Sequence, residues 1–448
     1  MTSSEAAPGR GTAVVIGGGL AGTLAAWALR GHAERIVVVE RDRYPDGPVF
    51  RSGLPQGRHA HLILEAGHRV LEELMPGTRQ ELLDAGAVRV PVSGDLRWLS
   101  SAGWMAEYDA ELAFLSCTRP VLDTVVLDRV RAEPSIEFLE GTEVVGLLGG
   151  PGTVTGVRVR ERGSGADKGE VRDLAAELVV DASGRSTAMA EWLRELGCPA
   201  VPEERVDAGA AYSSRLFHRP AGADLGCSAI YLQTKAPEAP YLGVLLPVEG
   251  DRWIVSLAGM RGAEPEPGEA GFAKHLGMLR DPSIRKALAG AEPAGEVRGF
   301  VPGPGVRRRY ERHSPDGLVV VGDAHCTFNP VYGQGITVAV FAARELRRVA
   351  ERTGGIGHAT ARAARRAVAA VSKNPWAMSC TEDVRFDATT GGPSGVLLRA
   401  QHRFLDRVLA ASSHNPAVTA VFHEVMSLVT PPTALFRPAV LAAALRSR

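Results

Sequence analysis

Two glycine-rich stretches, far apart in the chain, hold the residues best suited to chemistry. The first is Gly17-Gly18-Gly19-Leu20-Ala21-Gly22, a GxGxxG pattern. The second is Val319-Val320-Val321-Gly322-Asp323-Ala324, followed by Asn329-Pro330-Val331-Tyr332-Gly333-Gln334-Gly335-Ile336. In the first, glycines permit a tight turn and close approach of a pyrophosphate, whose charge the following helix N-terminus attracts. That motif alone does not choose between FAD and NAD. In the second, an apolar run ending in Gly-Asp sets the Asp323 carboxylate at the tip of a buried strand, where it can accept hydrogen bonds from a polyol. The Gly333-Gln334-Gly335 turn then opens an apolar helix, so bare backbone N–H groups face whatever binds there. A ribityl chain followed by a ring that gains negative charge on reduction meets both demands. The two motifs together predict FAD.

The elements that must position them are legible. Residues 12–16 read as a buried strand, 20–31 as a helix and 35–39 as a second strand ending at Glu40, which makes a βαβ unit with an acid placed for a ribose hydroxyl pair. Residues 51–64 begin as a loop, 66–74 turn helical, and 120–131 form an amphipathic helix just after Arg119. Strands are expected at 143–148 and 154–160 across a Gly-Gly-Pro-Gly turn, and at 177–180 running into Asp181-Ala182-Ser183-Gly184-Arg185-Ser186. From 208 to 260 the texture changes to strands broken by Pro and Gly, clearest at 241–247 and 252–258. Beyond Gly335 the chain reads as mostly helical, with helices at 396–411, 417–429 and 434–445. These terminal helices are expected to pack over the substrate domain; reversible membrane contact is the alternative use.

Bulk composition narrows the classes. The chain has 448 residues, enough for two joined cores, and Lys+Arg and Asp+Glu balance at 51 each, which gives no footprint for nucleic acid. The five cysteines are scattered without CxxC spacing, which speaks against a zinc site or a disulfide framework and suits a reducing cytoplasm. The N-terminus shows no signal pattern, and the apolar run at 13–29 is interrupted by glycines and too short to cross a bilayer. A soluble cytoplasmic protein with no integral membrane segment is expected. His59 and His61 would share one face of a strand, but no third ligand lies nearby, so no metal is expected there. A lining role beside the flavin, or plain surface, remains. Arg307-Arg308-Arg309 reads as a solvated face or as a contact to an NADPH phosphate.

With these motifs in place, and Asp181 to Arg185 between them, the chain resembles the group A flavin monooxygenases of the para-hydroxybenzoate hydroxylase type over residues 12–349. Within that group, residues 51–61 and 328–337 resemble bacterial polyene epoxidases of polyether biosynthesis, with squalene epoxidase a more distant relative. The resemblance implies an α/β fold: a Rossmann-like FAD-binding domain of the GR2 type (1–90, 115–205 and 300–355), an inserted antiparallel sheet for substrate (91–114 and 206–299) and a helical C-terminal region (356–448). It implies that Gly17, Gly19, Leu20, Ala21 and Gly22 meet the pyrophosphate and that Glu40 and Arg41 hold the adenosine ribose. Arg51, Arg58 and Arg119 would lie by the pyrophosphate and ribityl region, and Asp323 would bind the ribityl chain. Pro330 and the amides of Gly333, Gln334, Gly335 and Ile336 would face the flavin ring. In the family, Asp and Gly of the middle motif are adjacent; here Ala182 and Ser183 intervene, which departs from the pattern for nicotinamide contacts at Asp181 or Arg185.

The resemblance further implies reduction by NADPH or NADH, or by a separate flavin reductase, then O2 addition at flavin C4a and delivery of one oxygen atom to a hydrophobic small molecule. Flavin carries the difficult step, so no catalytic side chain is assigned. Epoxidation of an alkene in a polyene, polyketide or terpenoid precursor is the leading expectation, and aromatic hydroxylation the alternative. A phenol hydroxylase benefits from a base, and in the inserted sheet Tyr212, His218, Tyr231 and Tyr241 are candidates only for the wall. Halogenation would call for a Trp-x-Trp pair, and none of the six tryptophans is so spaced. A prenyl-chain reductase and a non-catalytic flavin-binding protein are the remaining rivals.

Overall fold

The computed structural model describes residues 11–163 and 169–447. Its centre is a five-stranded parallel sheet in the order Leu318–Val320, Leu178–Asp181, Thr12–Ile16, Arg35–Glu40, Ile136–Glu140. The Val-rich strands are buried on both faces, as a parallel sheet covered on both sides requires. Val15, Val38, Val180 and Val319 face a core shared with the helices Leu20–Leu29 and Gly335–Thr353. Val14, Val37, Val179 and Val320 face a second core, shared with the antiparallel sheet of Thr142–Gly150, Thr153–Glu161 and Val171–Ala175. The strand order brings Leu318–Val320 and Thr12–Ile16 to either side of Leu178–Asp181, so both glycine-rich motifs emerge at the same sheet end.

A seven-stranded sheet runs in the order Arg298–Phe300, Ala211–His218, Arg252–Gly259, Tyr241–Val248, Ala229–Leu232, Leu96–Ser100, Gly103–Trp104. It is antiparallel, as expected, except where Ala229–Leu232 pairs in parallel with Leu96–Ser100. That pair joins segments distant in sequence, so no hairpin fixes its direction. The tight turn before Arg252 holds Asp251 at φ 49°.

The C-terminal helices His358–Asp383, Val396–Ser412, Pro416–Met426 and Pro438–Arg446 include one the sequence reading did not delimit, His358–Asp383, with Pro375 inside it. The helix expected at 434–445 is split, because Pro438 begins a new helix after the short turn Pro432–Phe436. Val408, Leu409, Phe422 and Val425 form a core of their own, against which Trp98 and Met105 pack. The helices therefore lean on the edge of the large sheet. Among the described residues no helix is long and apolar enough to cross a membrane.

Candidate active site

A cavity of about 850 Å³ begins at Leu20 and Ala21, passes Asp323 and residues 333–336, and continues between the large sheet and the C-terminal helices. The glycines at its first end do different jobs. Gly22 is needed inside the protein, since a Cβ there would overlap the Gly17 carbonyl oxygen, whereas a Cβ on Gly19 would meet nothing within 4 Å. Gly19 thus leaves open the approach to the helix Leu20–Leu29, whose N-terminus no side chain among the described residues caps. Gly322, at φ +60°, brings the second motif so close that a Cβ on it would lie 2.7 Å from the Ala21 Cβ.

Glu40 is buried and already engaged: its Oε2 accepts from Gly18 N at 2.7 Å and its Oε1 from Asp42 N at 2.9 Å. Tyr44, which sequence reasoning missed, donates its hydroxyl to the Gly18 carbonyl at 2.7 Å. The Arg51 guanidinium stands 3.9 Å from Glu40 and 4.7 Å from the Tyr44 ring centroid. Glu40 here braces the glycine loop, and Arg41 rather than Glu40 reaches the cavity wall. Arg119 also lines it, held by Asp123 at 2.6 Å. Arg58 does not; its guanidinium lies 4.8 Å from the Phe50 ring centroid.

Asp323 lines the cavity, and among the described residues no donor meets its carboxylate. Burial pushes that carboxyl up, against the pull of Arg185, Arg119 and Arg308. A hydroxyl donor from a ligand would relieve the cost of burying it. Asp181, by contrast, is spent internally: Oδ1 accepts from Ser183 N at 2.9 Å and Ser183 Oγ at 2.6 Å, and Oδ2 from Thr187 Oγ1 at 2.6 Å. It fixes the turn and does not line the cavity. Arg185 lines the cavity and donates to the Pro304 carbonyl at 3.0 Å.

Gly333 takes the left-handed conformation, and among the described residues no side chain caps the helix Gly335–Thr353 that follows. Gln334 is 1% exposed, lines the cavity, and among the described residues has no partner for either amide atom. A buried amide with both ends orphaned costs roughly 1–3 kcal/mol per group unless a ligand completes it. The edge of an isoalloxazine ring, with carbonyl acceptors beside an N–H donor, fits this loop, as a ribityl chain fits Asp323 and a pyrophosphate fits Leu20 and Ala21. The residues present suit FAD.

His59 Nδ1 lies 2.7 Å from Ser214 Oγ, which lies 2.6 Å from Ser256 Oγ, and Ser256 Oγ accepts from Ala60 N at 2.8 Å. His59 and His61 line the cavity from a loop between the turn Pro55–Arg58 and the short strand Leu62–Ile63, not from one face of a strand. Burial lowers His59 to about 4 and His61 to about 3, so both imidazoles are neutral. Among the described residues no cluster of His, Cys, Asp and Glu could hold a metal. Tyr212 and Tyr231 line the wall. Tyr241 and His218 do not: Tyr241 meets His275 edge-on, and His218 is exposed.

Besides Asp323, carboxylates reach the cavity wall from the C-terminal helices. Glu382 lines the wall, paired with Arg385 at 3.0 Å, and Arg385 also holds Asp406 at 2.9 Å. The signal in the sequence was the adjacent acids Glu382-Asp383 after a long run without any. Arg308 and Arg309 turn out to be paired, with Glu203 at 2.9 Å and Glu204 at 2.7 Å.

Fold and site define a flavoprotein of the dinucleotide-binding kind. A family model described as FAD dependent oxidoreductase matches residues 13–192. The chain is 30% identical over 431 residues to Protein Rv3254 of Mycobacterium tuberculosis, covering 93% of this chain and 89% of that one. It is also 30% identical over 349 residues to the 6-methylpretetramide 4-monooxygenase of Streptomyces rimosus, covering 73% and 72%. Among solved structures, the flavin-dependent brominase Bmp2 shares the fold at a TM-score of 0.67 and 14% identity, over 97% of each chain. The chain belongs to the FAD-dependent oxidoreductases and is a flavin-dependent monooxygenase.

Proposed function

We propose that this monooxygenase epoxidises an alkene in a large apolar substrate such as a polyene, polyketide or terpenoid precursor. The observation that carries the reading is the far lobe of the cavity, walled by Phe404, Leu405, Leu409, Phe422, Met426 and Leu435. An elongated hydrocarbon gains about 0.8 kcal/mol per CH₂ buried there. When bound and reduced, FAD would supply the two electrons that activate O2 for transfer of one oxygen atom. The balance is alkene, O2, NAD(P)H and a proton in, and epoxide, NAD(P)⁺ and water out, with electrons from NADPH or NADH directly or through a separate flavin reductase.

The chain's own residues do the rest. Leu20 and Ala21 offer amides to the pyrophosphate, Asp323 accepts from the ribityl hydroxyls, and Gln334 to Ile336 donate N–H groups toward the anionic edge of the reduced ring, the Gly333 N–H being held by the Pro330 carbonyl at 2.9 Å. The apolar walls exclude water, which keeps activated oxygen from being lost. The setting we assign is cytoplasmic.

A second reading, aromatic hydroxylation, is favoured by Glu382, a carboxylate in the wall that could accept a phenolic proton. The two separate under ¹⁸O₂. Linear polyenes giving one labelled oxygen and one lost C=C per turnover support epoxidation. Label entering only phenolic rings supports hydroxylation and overturns the first reading.

A further inference from the structure

Asp383 is the last residue of the helix His358–Asp383, 2% exposed, and among the described residues no cation pairs with it. Its Oδ1 accepts from Asn329 Nδ2 at 2.8 Å and from the Tyr332 hydroxyl at 2.9 Å. Asn329 Oδ1 in turn accepts from Val331 N at 3.3 Å and from the Tyr212 hydroxyl at 3.2 Å. One carboxylate oxygen therefore ties together the end of a C-terminal helix, the segment leading into Gly333–Ile336, and a strand of the large sheet. A lone buried carboxylate is costly, and a fold that only needed packing here would have an amide or an apolar group.

We propose that Asp383 is a positioning residue, whose ionised carboxylate clamps Asn329 and Tyr332 so that the flavin-ring loop keeps its shape. This rests on the reading that residues 333–336 face the flavin. Charge matters because hydrogen bonds to an ionised acceptor are about twice as strong as neutral ones. Burial pushes the Asp383 carboxyl up to about 6; the Asn329 and Tyr332 bonds pull it down, and Glu382 and Asp207 push it up. The groups facing it are Glu382 and Cys380 on its own helix, Asp207 on the strand Glu203–Asp207, Tyr212 on the large sheet and Tyr332 on the loop. Ionisation at neutral pH and protonation in mild acid make the clamp readable.

The test follows FAD release from the holoenzyme by flavin fluorescence, from mild acid to mild alkali, in wild type, Asp383→Asn and Tyr332→Phe. Wild type is expected to release FAD faster as pH falls through about 6. Asp383→Asn, which keeps the shape and loses the charge, should release FAD on the order of tenfold faster at neutral pH, with that pH step gone. Tyr332→Phe should move the step to higher pH, and it carries the test alone if Asp383→Asn does not fold. An Asn variant with the wild-type rate and pH step, or a Phe variant with an unmoved step, overturns the clamp. Wild-type protein that takes up no FAD overturns the flavin reading beneath it; FAD bound but released without regard to pH overturns the clamp alone.

Discussion

Two glycines of one motif should fail in opposite ways. Gly22→Ala puts a methyl group into the Gly17 carbonyl and within 3.4 Å of the Ala182 Cβ. Both are packed inside, so the backbone must shift, at a cost of about 1–3 kcal/mol. Gly19→Ala adds its methyl in extended backbone (φ −74°) facing open space, where no atom lies within 4 Å. The stability of the apo-protein should then change by no more than about 0.5 kcal/mol. The same methyl stands where a pyrophosphate must approach the amides of Leu20 and Ala21. Losing that approach should raise the Kd for FAD about 10- to 100-fold, equivalent to about 1.4–2.8 kcal/mol. Calorimetric melting of both apo-proteins, followed by titration with FAD, separates the two. The reasoning is refuted if Gly19→Ala melts well below Gly22→Ala, or if it binds FAD as wild type does.

Gly335→Leu meets no protein atom at its Cβ; it should keep most of its flavin yet lose about 3–4 kcal/mol of barrier lowering through the displaced loop donors. Equal losses of flavin content and turnover would contradict this. Asp383→Asn should stabilise the fold at neutral pH. The carboxyl titrates at about 6 in the fold against 3.8 ordinarily, so it favours folding below its unfolded pKa, and that contribution is lost as pH rises through the folded value. The gain should reach about 3 kcal/mol at neutral pH, less the hydrogen bonds lost, and vanish in strong acid; melting at both pH values checks it. Leu405→Trp, at the wall of the apolar lobe, should raise KM for a long substrate and leave flavin content unchanged. A fall in flavin content instead would move the lobe out of the substrate's path.

The parts of the site carried by short motifs were legible in the sequence because backbone geometry fixes them locally. Gly17 to Gly22 and Gly322-Asp323 each close a buried Val-rich strand, and parallel pairing around Leu178–Asp181 brings them to one sheet end. The Asn329–Ile336 loop was legible for the same reason. What the sequence hid depends on long-range folding. Glu40 sits at the right strand end, but whether it faces a ligand or braces Gly18 depends on Tyr44 folding back over the loop. Arg58 shares a loop with Arg51, yet lies over the Phe50 ring and off the cavity wall. Glu382 lines the cavity and Asp383 bonds Asn329 and Tyr332 only because the end of the helix His358–Asp383 packs against the loop Asn329–Ile336, and no local pattern marks that approach.

The most direct measurement is a crystal structure of the protein reconstituted with FAD. The account predicts one FAD per chain, with its pyrophosphate at the amides of Leu20 and Ala21, its ribityl hydroxyls within hydrogen-bond reach of Asp323, and its ring edge on Gly333 to Ile336. A flavin bound elsewhere, or one that touches the first motif while Asp323 and Gln334 remain without a partner, would contradict it.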